Sequence, residues 1–189
     1  DAGEGYARIH GAHDRVEEIA RNGATVYKNE APLDDRDWGF LESDIRMDEL
    51  VSCVREMDPA PVGRLLEGVQ TNLRASRLGL EAKSGMAFGS ALARMAKDGA
   101  AGDSIVDRAM RLAAAAADAR MGGLPVRIMG CFGSGNHGIA LTSSLLPVAD
   151  AIGAAEAELA RALALAVVIV GFVKRRTGIL TPHCGCGLA

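Results

Sequence analysis

Aromatic side chains are scarce in this chain, with one Trp, two Tyr and four Phe among 189 residues. A core built with so few rings must be filled by smaller groups. The hydrophobic share is still 49%, with alanine abundant and 23 glycines beside it. Closely packed helices whose backbones approach one another are the expected interior. Basic charge is not in excess: 21 Lys and Arg stand against 24 Asp and Glu, for a net charge of −3, which lacks the electrostatic footprint of a nucleic-acid-binding protein. The uncharged stretch 162–173 is shorter than the roughly 20 apolar residues a membrane span requires. A helix buried at the centre of a bundle accounts for it better. Cysteine is limited to positions 53, 131, 184 and 186, and no signal-peptide pattern opens the sequence, so a disulfide framework is not expected. Internal repeats, low-complexity tracts and heptad runs are absent.

What the chain does have is a concentrated glycine stretch, Cys131-Phe132-Gly133-Ser134-Gly135-Asn136-His137-Gly138, running into Ile139-Ala140-Leu141-Thr142. Three glycines in six residues permit positive φ and close approach of a ligand to the backbone. Ser134, Asn136 and His137 supply polar groups among them. The apolar continuation can begin a helix, so the backbone amides of residues 136–139 can form an anion-binding helix start suited to a carboxylate. The stretch lacks the surroundings of a dinucleotide fingerprint and the Lys-Ser/Thr pair of a P-loop. The plainer reading is a glycine-rich connection between two buried helices.

Along the chain, residues 5–27 read as β structure. Tyr6, Arg8 and His10 alternate with Ala7 and Ile9; Val16 to Ile19 forms a second run, Asn22-Gly23 is a hairpin turn, and Thr25-Val26-Tyr27 supplies the return strand. His10 and His13 are best read as surface turn residues rather than metal ligands. Residues 28–42 look like a linker anchored by Trp38 and Phe40. From Ser43 the pattern becomes helical. Ser43 or Asp44 can cap a helix with Met47, Leu50, Val51, Val54 and Met57 on one face, and Cys53 is expected as a small core residue on its apolar side. Leu65, Leu66, Val69 and Leu73 mark a second helix stopped by Gly79. Met86, Leu92 and Met95 mark a third, and Asp103 or Ser104 caps a fourth that runs through five consecutive alanines. Arg120 then sits at a helix C-terminus, where a cation complements the macrodipole. It can equally clamp a carboxylate if the Gly122-Gly123 turn brings it to the glycine stretch. Pro147 predicts either two short helices or one kinked helix over 138–152, and Lys174 to Arg176 end the last helix, with Gly178 following. The fold class expected is α+β, mostly α: a small antiparallel β element at the N-terminus, then a helical bundle with a buried central helix. The organisation expected is a β segment and linker over 1–42, the remnant of a preceding domain, and a helical catalytic-type domain over 43–189.

Three stretches, DARMGGLPV (118–126), GSGNHGIALTSSLLPVA (133–149) and LTPHCGCGLA (180–189), resemble the iron–sulfur L-serine dehydratase alpha-chain superfamily, and its L-cysteine desulfidase-like branch in particular. The early ARIHGAHDRVEEIARNG resembles the β segment preceding the helical domain there. The resemblance implies a lyase with a [4Fe–4S] cluster and no pyridoxal phosphate, whose open iron acts as a Lewis acid on a hydroxyl or thiol leaving group. It implies Cys184 as a cluster ligand with Cys186 in reserve, the other ligands lying outside this chain. It assigns Ser134, Asn136 and His137 to recognition of the substrate carboxylate or amine, with Arg120 beside them; His137, at a position where Gln is common in the family, is also the candidate base for the α-proton. No lysine is expected in an apolar position tuned for a Schiff base.

The opening Asp1 and the unfinished run at 183–189 lead to the expectation of a fragment lacking both ends of its parent and inactive alone. The partner implied is a small amino-acid substrate, with neither nucleic acid nor membrane, and a homo-oligomer is left open. A cluster with free thiolates implies a cytoplasmic, reducing compartment. Two other readings compete: a catalytically inert helical module binding a small amino acid or a protein partner, and a zinc site built on His183, Cys184 and Cys186, which falls short of four ligands.

Overall fold

The computed structural model describes residues 3–10, 15–31 and 39–178. It begins with a three-stranded antiparallel sheet in chain order, β1 (Gly5–Ile9), β2 (Val16–Arg21) and β3 (Ala24–Lys28). Asn22 and Gly23 both take positive φ, 52° and 78°, which a two-residue type I′ hairpin loop demands. The rung Ala7–Ile19–Tyr27 fixes the register. Both outer strands are exposed along their length. His10 is exposed, its Nδ1 3.8 Å from Glu17 Oε1; His13 and Trp38 lie outside the described residues.

Among the described residues, a short 3-10 helix at Gly39–Glu42 leads to six α-helices: α1 (Met47–Glu56), α2 (Arg64–Ala82), α3 (Phe88–Lys97), α4 (Ile105–Met121), α5 (Gly135–Ile152) and α6 (Glu156–Thr177). The expected class, a small N-terminal antiparallel sheet followed by a helical bundle, is therefore the one observed. Several local expectations hold for local reasons. Ser104 caps α4: its hydroxyl accepts from the Asp107 N–H while its own N–H donates to the Asp107 carboxylate, a reciprocal capping box. Gly178, at φ 87°, closes α6. Pro147 lies within a single helix rather than dividing two.

Other expectations are corrected. The residue at the N-cap of α1 is Arg46, not Ser43 or Asp44, and its N–H donates to Glu49 Oε2 at 3.0 Å. Cys53 is exposed rather than in the core. Only a narrow stripe of α1, centred on Leu50 and Val54, is buried, because α6 is its principal neighbour. Gly79 does not stop α2, which continues to Ala82. Met86 precedes α3 and is 90% exposed.

The centre of the bundle is α4, packed against α2, α3 and α5, rather than the uncharged stretch of α6, much of which is only half-buried. Ala115, Ala116 and Ala119 of α4 are fully enclosed. A Cβ on Gly79 would overlap the Ala115 carbonyl oxygen, and one on Gly89 of α3 would lie 2.5 Å from Ala115 Cα. Two helices thus touch the α4 backbone at one alanine, a spacing only glycine permits. Ser76 Oγ donates to the Leu112 carbonyl at 2.8 Å, a direct α2–α4 bond. The adjoining apolar cluster is Ala75, Ala116 and Ile139 with Val126 and Ile128 against it. On the far side, Arg161 Nε of α6 donates to the Met57 carbonyl at the end of α1.

Gly79→Ala tests this spacing. Alanine gains about 1 kcal/mol of helix propensity over glycine, yet the overlap with Ala115 requires α2 and α4 to part. A net loss of about 1–3 kcal/mol is expected, read from the urea midpoint by circular dichroism. Gly5→Ala, with nothing within 4 Å of the added carbon, should stay within about 0.5 kcal/mol of the parent. An unchanged midpoint for Gly79→Ala would refute the contact.

Candidate functional site

The glycine stretch is held in place from below. Asn72, on α2 and 1% exposed, treats Met129 as a strand would: its Oδ1 accepts the Met129 N–H at 2.8 Å and its Nδ2 donates to the Met129 carbonyl at 3.3 Å. Nδ2 also donates to Thr142 Oγ1 on α5 at 3.1 Å. One amide therefore fastens the segment before the loop to the helix after it. Gly138 allows the closeness, since a Cβ there would overlap the Met129 carbonyl oxygen.

Between these fixed points, Cys131 and Ser134 exchange both backbone hydrogen bonds, N–H to O=C at 2.9 and 3.0 Å. Phe132 and Gly133 take φ 45° and 76°, a second type I′ turn. Phenylalanine is disfavoured in that conformation. Its ring packs against α6 at Gly171, where a Cβ would come 2.7 Å from Phe132 Cζ, and this packing offsets the strain. Ser134 then caps α5, its hydroxyl oxygen accepting the His137 N–H at 3.3 Å, and the Gly138 N–H reaches the Ser134 carbonyl at 3.4 Å. Of the amides expected to receive an anion, those of His137 and Gly138 are thus used within the helix start. The first-turn amides of Gly135 and Asn136 have no intrahelical acceptor.

Arg120, exposed in the last turn of α4, crosses this helix start. Its Nη1 donates to Asn136 Oδ1 at 3.0 Å, and a Cβ on Gly135 would lie 2.6 Å from its Nε. A guanidinium and the positive end of α5 meet at one place, whose helix end alone carries the equivalent of roughly half a positive charge. Arg120, Ser134 and Asn136 are thus brought together. His137 is adjacent but buried, 4% exposed.

Three features escape the sequence pattern. Asp118 is 7% exposed and accepts the N–H groups of Met86 and Gly89 at 3.1 and 2.9 Å. Asn72 is the amide described above. The third is Lys174, which is 3% exposed near the end of α6. Its field lowers the Cys131 thiol slightly, but burial dominates and raises that pKa from 9.0 to about 11. Asn72 and Asp118 each stand three residues beyond a buried small or apolar residue, Val69 and Ala115, a polar group at core spacing that is the one sequence signal for them.

No group of three or more His, Cys, Asp or Glu able to hold a metal occurs among the described residues. Cys184 and Cys186 lie outside them. The described cysteines do not make a cluster site, since Cys53 is exposed on α1 and Cys131 is a buried thiol. Among the described residues, no helix is long and apolar enough to cross a membrane.

Residues 42–189 match the family model described as Serine dehydratase alpha chain. A protein named UPF0597 protein from Clostridioides difficile is 31% identical over 187 residues, covering 96% of this chain and 44% of that protein. Its namesake from Nitratidesulfovibrio vulgaris is 35% identical over 205 residues, covering 97% and 46%. Another, from Desulforapulum autotrophicum, is 36% identical over 145 residues, covering 77% and 33%. The chain spans less than half the length of these curated relatives. No solved structure matches.

The raised Cys131 pKa has two measurable consequences. At pH 8 iodoacetamide should label Cys53 rapidly and spare Cys131 until the chain unfolds, because the thiolate is the nucleophile. Between about pH 9 and 11 the unfolded thiol has lost its proton while the folded one keeps it. The unfolded state then binds fewer protons, so Cys131 makes stability fall as pH rises through that window. Peptide mapping after labelling reads the first effect, and Cys131→Ala, which should flatten the alkaline decline, reads the second. Labelling of both cysteines at equal rates would refute the buried assignment.

Proposed function

Since the chain belongs to the serine dehydratase alpha chain family, we propose that it forms part of an amino-acid lyase that β-eliminates sulfide from L-cysteine or water from L-serine. Loss of the α-proton and of the leaving group yields aminoacrylate, which hydrolyses to pyruvate and ammonia. The observation that carries the reading is the convergence of Arg120 with the first turn of α5. A substrate carboxylate placed there meets a planar guanidinium able to bind it through two N–H groups and the amides of Gly135 and Asn136.

In this proposal Arg120, Ser134 and Asn136 bind and orient the amino acid. Ser134 Oγ accepts at the cap and keeps its proton for donation, while Asn136 Oδ1, already holding Arg120, can accept from a substrate ammonium. His137, buried in the first turn of α5, takes the α-proton. In the full-length gene product Cys184, with Cys186 in reserve, contributes to a [4Fe–4S] cluster, which when bound supplies a Lewis-acidic iron to the leaving group. Pyridoxal phosphate has no part in the scheme. Residues 1–42 belong to a preceding domain and 43–189 to the catalytic one.

The test is anaerobic iron–sulfur reconstitution of the full-length gene product, followed by visible absorbance and pyruvate release from each amino acid. A brown protein that releases pyruvate from one of them, and loses both properties in Cys184→Ala, is expected. Arg120→Ala should raise KM by about 10- to 100-fold, the cost of a lost charge-assisted contact, and leave the absorbance intact. His137→Gln should lower kcat by at least about 100-fold with KM little changed. A colourless protein that releases nothing would refute the lyase and favour an inert module that binds a small amino acid.

A further inference from the structure

Arg120 can act as a clamp only if the last turn of α4 is fixed, and helix ends fray unless something holds them. Here the hold comes from the connection between α2 and α3. Lys83, Gly85 and Ala87 all take positive φ, 48°, 61° and 54°, so this stretch alternates in and out of the left-handed region. Two of the three are not glycine, a conformation that persists only where the surroundings enforce it. Asp118 enforces it. Its Oδ1 accepts the Met86 N–H at 3.1 Å and its Oδ2 the Gly89 N–H at 2.9 Å, one carboxylate gripping both sides of the α3 start.

The grip is returned at the end of α4. A Cβ on Gly122 would overlap Ser84 Oγ and the Gly85 nitrogen, and one on Gly85 would lie 2.9 Å from the Asp118 carbonyl oxygen. The Gly122 N–H donates to that carbonyl at 2.8 Å. Arg120 is therefore bracketed, with the anchoring carboxylate two residues before it and the glycine pressed by the loop two residues after. From there its guanidinium reaches Asn136 at 3.0 Å.

We propose that Asp118 is a positioning residue for the carboxylate site: by tying residues 83–89 to the last turn of α4, it sets the direction in which Arg120 meets the start of α5. The inference rests on the reading of Arg120 and α5 as a carboxylate site. Asp118 itself touches no substrate. A buried carboxylate with two backbone N–H partners also contributes to stability, so the test must separate position from folding.

The separation comes from a double-mutant cycle on the full-length gene product, with L-serine and acetate as probes in titration calorimetry. Arg120→Ala should weaken L-serine binding by about tenfold, and Asp118→Ala by a similar factor while Arg120 is present. In the double variant the two losses should not multiply, because Asp118 acts only through Arg120. Asp118→Asn, which keeps one acceptor oxygen, should fall between the parent and Asp118→Ala. It also serves as the working variant should Asp118→Ala fail to fold. Amide exchange at Met86 and Gly89 should accelerate in both Asp118 variants, showing that the tether was cut. Binding that Arg120→Ala abolishes but the Asp118 variants leave intact, or losses that simply multiply, would overturn the inference and leave the carboxylate site standing. Failure of the parent to bind either probe would overturn both.

Discussion

The open end of the bundle depends on one buried amide. Asn72 meets the backbone of Met129 with a donor and an acceptor and reaches Thr142 with its second proton. Without it the half-buried Met129 N–H would lose its side-chain acceptor. The larger consequence is geometric. The first turn of α5 rests on the Met129 carbonyl through Gly138, so the turn at 131–134, the cap at Ser134 and the amides beside it inherit their places from that fastening. Thr142 completes the link, donating back to the helix carbonyls of Gly138 or Ile139 while accepting from Asn72.

The same economy of small side chains governs the interior. With few aromatic rings to fill space, the helices close the gap by bringing backbones together, α2 and α3 against Ala115 of α4, while Gly171 of α6 makes room for the Phe132 ring. A glycine that serves such a contact looks, in one dimension, like a glycine that ends a helix. Gly79 illustrates the confusion. Its propensity suggests a stop, but its tertiary partner supplies the reason for its presence in mid-helix. Cys53 errs the other way, because periodicity places it beside an apolar stripe and cannot say how wide that stripe is. Features fixed by near neighbours were legible: the Asn22-Gly23 hairpin, the cap of α4 at Ser104 and the glycine after α6 at Gly178.

The candidate site divides along the same line. The glycine stretch stood out from its composition, as a ligand loop or a glycine-rich connection, and Arg120 was placed with it on one condition, that the Gly122-Gly123 turn should bring the two together. The structure meets that condition at 3.0 Å. Asp118, Asn72 and Lys174 were not legible as parts of it, because each is a polar residue whose partner lies on another element or whose burial depends on the whole bundle. Phe132 was opaque for a further reason: a left-handed phenylalanine is intelligible only once the α6 surface that receives its ring is known.

Recognition and bond cleavage are separable demands on such a site. Holding a carboxylate asks for fixed positive charge and free amides, and these come from the junction of α4 with α5, two helices that also build the core. Activating a leaving group asks for an electrophile, which the described residues do not assemble into a metal-ligand group. The relatives are more than twice as long as the segment they share with this chain. In the proposed scheme the small-residue scaffold fixes recognition, and the electrophile is a cluster to which Cys184 is this chain's own proposed contribution. In the proposed lyase the rigidity of the small-residue core would have a chemical use, since a misplacement of about 1 Å between a bound substrate and its electrophile is enough to cost two orders of magnitude in rate.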